Sequence, residues 1–307
     1  MKILVIGATG FLGRDVAARL AAEHEVVAAG GRTAPAGGIR LDVRDEAGLR
    51  RVLAETAPDC VVHLAAYREP DFCEDEPDET RRLNTAPVAV MCGALPPAAR
   101  LVFVSTDYVF DGETPPYAED SPRRAVNVYG QSKIEAEDFV LRRPGSLVVR
   151  IPLLVGAGPA FESSGFLQQI VCALQNPKPQ EADAVLRRFP TWIRDVAEAL
   201  AFLVGRGATG AVHYSGAEGL TRYEMTAQAA EVLGMPMDHI RPSDRIVPRR
   251  AARPRDSQLA TDRIRALGFT RFTPFRDVVR AFASTTRWDA EVGRKEHEGA
   301  KEGPTPQ

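Results

Sequence analysis

The stretch that most restricts the fold is GATGFLG, residues 7–13, entered directly from the apolar run ILVI at 3–6. Gly7, Gly10 and Gly13 stand in G-x-x-G-x-x-G spacing. A strand that turns through such glycines into a helix brings backbone N–H groups close to a pyrophosphate. The positive end of the helix dipole then holds the negative charge. Three glycines can also be turn geometry alone. Their place between a strand pattern and a helix pattern favours a dinucleotide.

The next 140 residues repeat this alternation. ILVIG (3–7), EVVAA (25–29), CVVHLAA (60–66), LVFVS (101–105) and LVVRI (147–151) are short and rich in Val, Ile and Leu, as buried strands are. Helix-like segments at 11–22, 46–56, 79–95 and 128–142 separate them. The pattern predicts an α/β chain with a Rossmann-type doubly wound parallel sheet and a smaller C-terminal substrate-binding lobe. Residues 1–155 form the sheet domain, completed by parts of 185–215. Residues 156–284 form most of the lobe, with helices near 165–174, 194–204 and 223–233 and a strand near 211–216. From Thr285 the apolar periodicity stops, so 285–307 reads as a disordered tail or a docking peptide.

Bulk properties exclude several classes. A net charge of −2 over 307 residues gives no electrostatic case for nucleic acid or an anionic membrane surface. No apolar run approaches the roughly 20 residues of a membrane span. Cys60, Cys73, Cys92 and Cys172 lack CxxC or framework spacing, which suits reduced thiols, and the five histidines are scattered, so no metal site is expected. The chain opens directly on a strand, without a signal-peptide pattern, and is expected to be cytoplasmic.

The end of the second strand bears on the choice of cofactor. An NAD enzyme usually offers a carboxylate there to the ribose 2′-hydroxyl. This chain reads AAGGRT at 28–33, with Arg32 and no acid. A guanidinium suits a 2′-phosphate, so NADP(H) is expected, with a merely solvated Arg32 as the alternative. Asp42 follows the third strand, where it can take the adenine amino group or cap its loop. The residues expected to line the cofactor are Gly7, Thr9, Gly10, Phe11, Leu12, Gly13, Arg32, Asp42, Val43, Leu64, Ala65, Ala66, Tyr129 and Lys133.

LVFVS leads into STDYVFDG (105–112), and NVYGQSK (127–133) sets Tyr129 four residues before Lys133 on one helical face. A Y-x-x-x-K pair alone is usually structural. With the glycine loop and the strand-end Ser105-Thr106, it resembles the extended short-chain dehydrogenase/reductase superfamily. STDYVFDG, NVYGQSK, RFPTWIRDVA (188–197) and RPRDSQL (253–259) resemble the dTDP-4-dehydrorhamnose reductase family more narrowly. RIPLLVG (150–156), HYSGAEGLTRYEMT (213–226), HIRP (239–242) and RFTPFR (271–276) are similar to its methionine adenosyltransferase regulatory beta subunit branch.

The resemblance implies a catalytic set of Thr106, Tyr129 and Lys133. Tyr129 would be the general acid, Lys133 would bind the nicotinamide ribose and lower the tyrosine pKa, and Thr106 would hydrogen-bond the carbonyl. It also implies substrate contacts from Asp107, Val109, Arg150 and Arg253. Arg253 and Arg255 can grip a diphosphate or make interdomain ion pairs. The chain departs from the reductases after Arg150, where Ile151-Pro152-Leu153 replaces an R-T-S-W-like stretch.

Two readings follow. One is an NADPH-dependent ketoreductase of a nucleotide-activated 4-keto-6-deoxysugar. The other is a non-catalytic NADP-binding regulatory subunit that docks a protein partner through its C-terminal lobe or tail. An epimerase or dehydratase is disfavoured, because STD at 105–107 is not accompanied by the acidic pair expected for water elimination. Segments 79–95 and 128–142 can also pack across a two-fold axis in a homodimer.

Overall fold

The computed structural model describes residues 1–286; the expectation for the tail beyond Thr286 lies outside them. Chain order is β1 (Lys2–Ile6), α1 (Gly13–Ala21), β2 (Glu25–Gly30), β3 (Ile39–Arg40), α2 (Glu46–Thr56), β4 (Cys60–His63), α3 (Pro70–Asp75), α4 (Pro77–Asn84) and α5 (Ala86–Ala94). Then come β5 (Arg100–Thr106), α6 (Val128–Arg142), β6 (Leu147–Ile151), β7 (Leu154–Val155), α7 (Phe166–Gln175) and β8 (Gln180–Asp183). The described chain closes with β9 (Thr191–Trp192), α8 (Ile193–Gly205), β10 (Gly210–His213), α9 (Arg222–Leu233), β11 (Ile240–Ser243), α10 (Asp262–Ala266) and α11 (Phe275–Thr285).

Seven strands form one parallel sheet in the order β10-β6-β5-β4-β1-β2-β3. The order reverses between β1 and β4, which opens a crevice at their carboxyl ends. Alternation along each strand divides the core. Ile3 and Val5 of β1 join Val62, Val102, Val149 and the buried side of α8 on one face. Leu4 and Ile6 join Val61, Leu101, Phe103, Val148 and residues of α2, α5 and α6 on the other.

The segment expected as one helix over 79–95 is two, because Pro87 lies in the first turn of α5. Proline lacks the N–H a continuous helix would need and disfavours a helical residue before it. The strand expected over 60–66 ends at His63, where the chain leaves the sheet at the crevice. Periodicity reading also passed over α11, whose Phe275, Val278, Val279 and Phe282 are buried at helical spacing. They pack with α7 and α9 and with the parallel pair β8–β11 to make the core of the smaller lobe.

Candidate active site

The glycine loop sits at the β1 end of the crevice and is shaped by backbone proximity. Gly7 has φ +91°, and a Cβ there would meet the Ala65 backbone nitrogen at 2.8 Å. A Cβ on Gly13 would lie 2.0 Å from the Gly7 carbonyl oxygen. The turn is fixed by Gly7 and Ala8 N–H groups donating to the Ala29 carbonyl, and by Gly10 N–H donating to that of Gly7, each at 2.9 Å. This leaves an exposed cradle at Thr9 and Gly10 ahead of α1, with Phe11 half-buried and Leu12 buried behind it. Leu64, Ala65 and Ala66 form the opposite lip, tied to β1 by Leu64 N–H to the Ile6 carbonyl. Side chains at Gly7 and Gly13 would strike this backbone, so the glycines keep the loop tight enough to fit a pyrophosphate at the cradle.

Arg32 is exposed beyond β2. Asp42 is exposed as well, but Arg44 donates to both of its oxygens, and the same guanidinium also bonds Glu79. That pairing holds the Asp42 carboxyl below its usual range. Val43 is buried between this strap and the sheet.

At the end of β5, Thr106 stands near the Tyr129 phenol on the first turn of α6 and favours its ionised form. Asn127 caps that helix by accepting from Gly130 N–H at 2.8 Å, which fixes where Tyr129 emerges. Lys133 is buried one turn later. Its Nζ donates to the Val104 carbonyl at 2.7 Å and stands 4.0 Å from the Phe103 ring centre. Burial lowers the Lys133 pKa to about 7, opposed by the charge of Glu137.

Burial pushes the Tyr129 pKa up from its usual value, and the Thr106 hydrogen bond only partly offsets this. Desolvation is the largest influence on the phenol. A phenol kept protonated is what a proton donor requires.

The substrate contacts expected from the resemblance fare differently. Arg150 is 1% exposed and forms a bidentate pair with Glu137, at 3.0 Å and 2.8 Å. It also donates to the Glu119 carbonyl, so its guanidinium faces protein rather than the crevice. Val109 is wholly buried with Phe110, Tyr117 and Leu259, where no substrate would touch its side chain. Arg253 is bound to Asp71 of α3 and bridges the 251–258 segment to the sheet domain. That leaves the interdomain alternative for Arg253. Asp107 is 2% exposed with both oxygens engaged: Thr106 donates to one at 3.1 Å and Ser257 to the other.

Residues passed over in the sequence also surround the site. Arg188 stands over the Tyr108 ring, which packs edge-on to Tyr129. Glu137 continues the Tyr129, Lys133 face by one more turn, a signal present in the i+4 spacing. His63 is buried, stacked on Phe103, and neither ring nitrogen has a partner among the described residues. No group of three or more His, Cys, Asp or Glu that could hold a metal occurs among the described residues. No helix there is long and apolar enough to cross a membrane.

A family model described as the RmlD substrate binding domain matches residues 1–287. Methionine adenosyltransferase 2 subunit beta of Danio rerio is 32% identical over 300 residues, 94% of this chain and 93% of the relative. A probable dTDP-4,6-dihydroxy-2-methyloxan-3-one 4-ketoreductase of Streptomyces antibioticus is 33% identical over 287 residues, 91% of this chain and 94% of the relative. Among solved structures, a hypothetical dTDP-4-dehydrorhamnose reductase from Sulfolobus tokodaii superposes with TM-score 0.80 at 28% identity, covering 95% of this chain and 98% of that one. The dTDP-4-dehydrorhamnose reductase of Bacillus anthracis in complex with NADP has TM-score 0.82 at 24% identity, over 92% and 98%, and shares the fold.

Proposed function

This chain belongs to the RmlD substrate binding domain family, and from that premise we propose that it is an NADPH-dependent ketoreductase of a nucleotide-activated 4-keto-6-deoxysugar. The observation that supports the reading is the placement of Thr106 at the end of β5 beside Tyr129, with Lys133 one turn further along α6 and bonded to the β5 backbone. NADPH bound along the cradle would supply the hydride. Gly7, Gly10 and Gly13 would shape the loop around the pyrophosphate, and the exposed Arg32 would take the 2′-phosphate. Tyr129, protonated at working pH, gives its proton to the carbonyl oxygen. Thr106 orients that oxygen, and Lys133 is placed for the ribose.

The ketoreductase named among the relatives supports this substrate class. Purified protein given NADPH and dTDP-4-keto-6-deoxyglucose, or its 3,5-epimerised form, should oxidise the cofactor. Tyr129→Phe should abolish turnover and keep NADPH affinity. Tight NADPH binding with no turnover across a panel of keto-sugars would overturn the reading.

A second reading is favoured by the likeness to the adenosyltransferase beta subunits: an NADP-binding regulatory subunit for a protein partner. Co-purification with an adenosyltransferase catalytic subunit, together with absent turnover, would select it.

A further inference from the structure

The Thr106 hydroxyl has one proton and two claimants. It donates to Asp107 Oδ1 at 3.1 Å and its oxygen accepts the Tyr108 N–H at 3.2 Å, while a substrate carbonyl in the crevice would be the second claimant. A hydroxyl donates once. While its proton points inward to a carboxylate, it cannot also donate outward to a substrate carbonyl. We propose that Asp107, clamped by Ser257, is a positioning residue that sets the direction of the Thr106 proton: inward when Asp107 is ionised, outward to the carbonyl when Asp107 is protonated.

The geometry isolates this chain of groups. Thr106, Asp107 and Ser257 are 5%, 2% and 0% exposed, so water does not compete for their hydrogen bonds. Ser257 comes from the 251–258 segment, 150 residues away, and donates to Asp107 Oδ2. The second carboxylate oxygen is thus spoken for, and only Oδ1 is left to exchange roles with Thr106. A protonated Oδ1 donates to the Thr106 oxygen and releases the hydroxyl proton toward the crevice. The exchange takes up one proton, bound by Asp107 from solvent, and Thr106 keeps its own.

The charged and titratable groups facing Asp107 are few. Arg188, on the strip before β9, favours the ionised form, and the phenol of Tyr129 comes from α6. Tyr108 is on the same turn, and the Arg253–Asp71 pair and Arg249 lie beyond it. Burial outweighs Arg188 and the two hydroxyl donors, raising the Asp107 pKa to about 6, so both states occur near neutrality.

The inference rests on the reductase reading for its activity readout. The test is the pH profile of kcat/KM for keto-sugar reduction in wild type, Ser257→Ala and Asp107→Asn, with NADPH affinity measured in parallel. Wild type should lose activity as pH rises through about 6. Ser257→Ala removes a donor to the carboxylate and should move that limb up by about one pH unit.

In Asp107→Asn the amide can accept from Ser257 and donate to Thr106, a fixed copy of the protonated state. It is judged on the shape of its profile, which should lose the limb. An unmoved limb in Ser257→Ala, or a limb retained in Asp107→Asn, overturns the proposal. The Thr106 methyl carbon, followed by NMR, reads the same switch without turnover. Its resonance should titrate in wild type, shift its midpoint upward in Ser257→Ala and stay flat in Asp107→Asn. An inactive wild type with this NMR pattern would refute the reductase reading alone; a Thr106 methyl that does not titrate would refute the switch.

Discussion

Removing Glu137 is expected to destabilise the protein far more than replacing it together with Arg150. Glu137 is 0% and Arg150 1% exposed, and Arg123 adds a third contact to the same carboxylate at 3.1 Å. In Glu137→Ala the Arg150 guanidinium stays buried, with only the Glu119 carbonyl and His213 Nε2 beside it. Stranding a buried charge costs about 3–5 kcal/mol, whereas an apolar pair of similar volume is often neutral. Against a total stability of about 5–15 kcal/mol this is a large fraction. For a chain of 307 residues it corresponds to a fall of roughly 5–8 °C in Tm.

Urea unfolding of wild type, Glu137→Ala, Glu137→Leu, Arg150→Met and the double variant Glu137→Leu/Arg150→Met measures the effect. The double variant should recover at least half of the loss seen in either single one. Losses that simply add would refute the reasoning, because they would mean the two charges do not depend on each other.

Three further outcomes follow from the same geometry. Arg32→Ala should weaken NADPH binding by tenfold or more and leave NADH little changed, in fluorescence titrations; equal weakening would show that Arg32 does not read the 2′-phosphate. Gly13→Ala should abolish cofactor binding and lower Tm, because its Cβ would sit 2.0 Å from the Gly7 carbonyl oxygen. Lys133→Met should reveal a buried-lysine penalty with a defined pH window. The folded pKa of Lys133 is lowered to about 7 from 10.5, so the unfolded chain binds more protons between those values. Wild-type stability relative to the variant should therefore rise with pH across that window and be level below it. A flat difference in denaturation midpoints from pH 7 to 10 would sink this.

The glycine spacing after an apolar strand, and the repeated short Val- and Ile-rich runs, were enough to specify a parallel doubly wound sheet, because strand burial and turn geometry are local demands on residue type. The same locality made Tyr129 and Lys133 legible as a pair, since helical spacing alone puts them on one face. The fates of Arg150, Val109 and Arg253 were not local. Each has the right residue type near the site, yet Arg150 is bound by Glu137, Val109 is enclosed by Phe110 and Leu259, and Arg253 is drawn to Asp71.

The tyrosine pKa is not local either: burial, which only packing decides, raises it. Ser257 illustrates the limit most clearly. It lies within RPRDSQL, where only the arginines were singled out, and only the return of the chain 150 residues later brings its hydroxyl to Asp107. The chain by itself determined which residues could do chemistry at the crevice. The tertiary structure decided which of them are free to do it, because desolvation and ion pairing depend on partners far away in sequence.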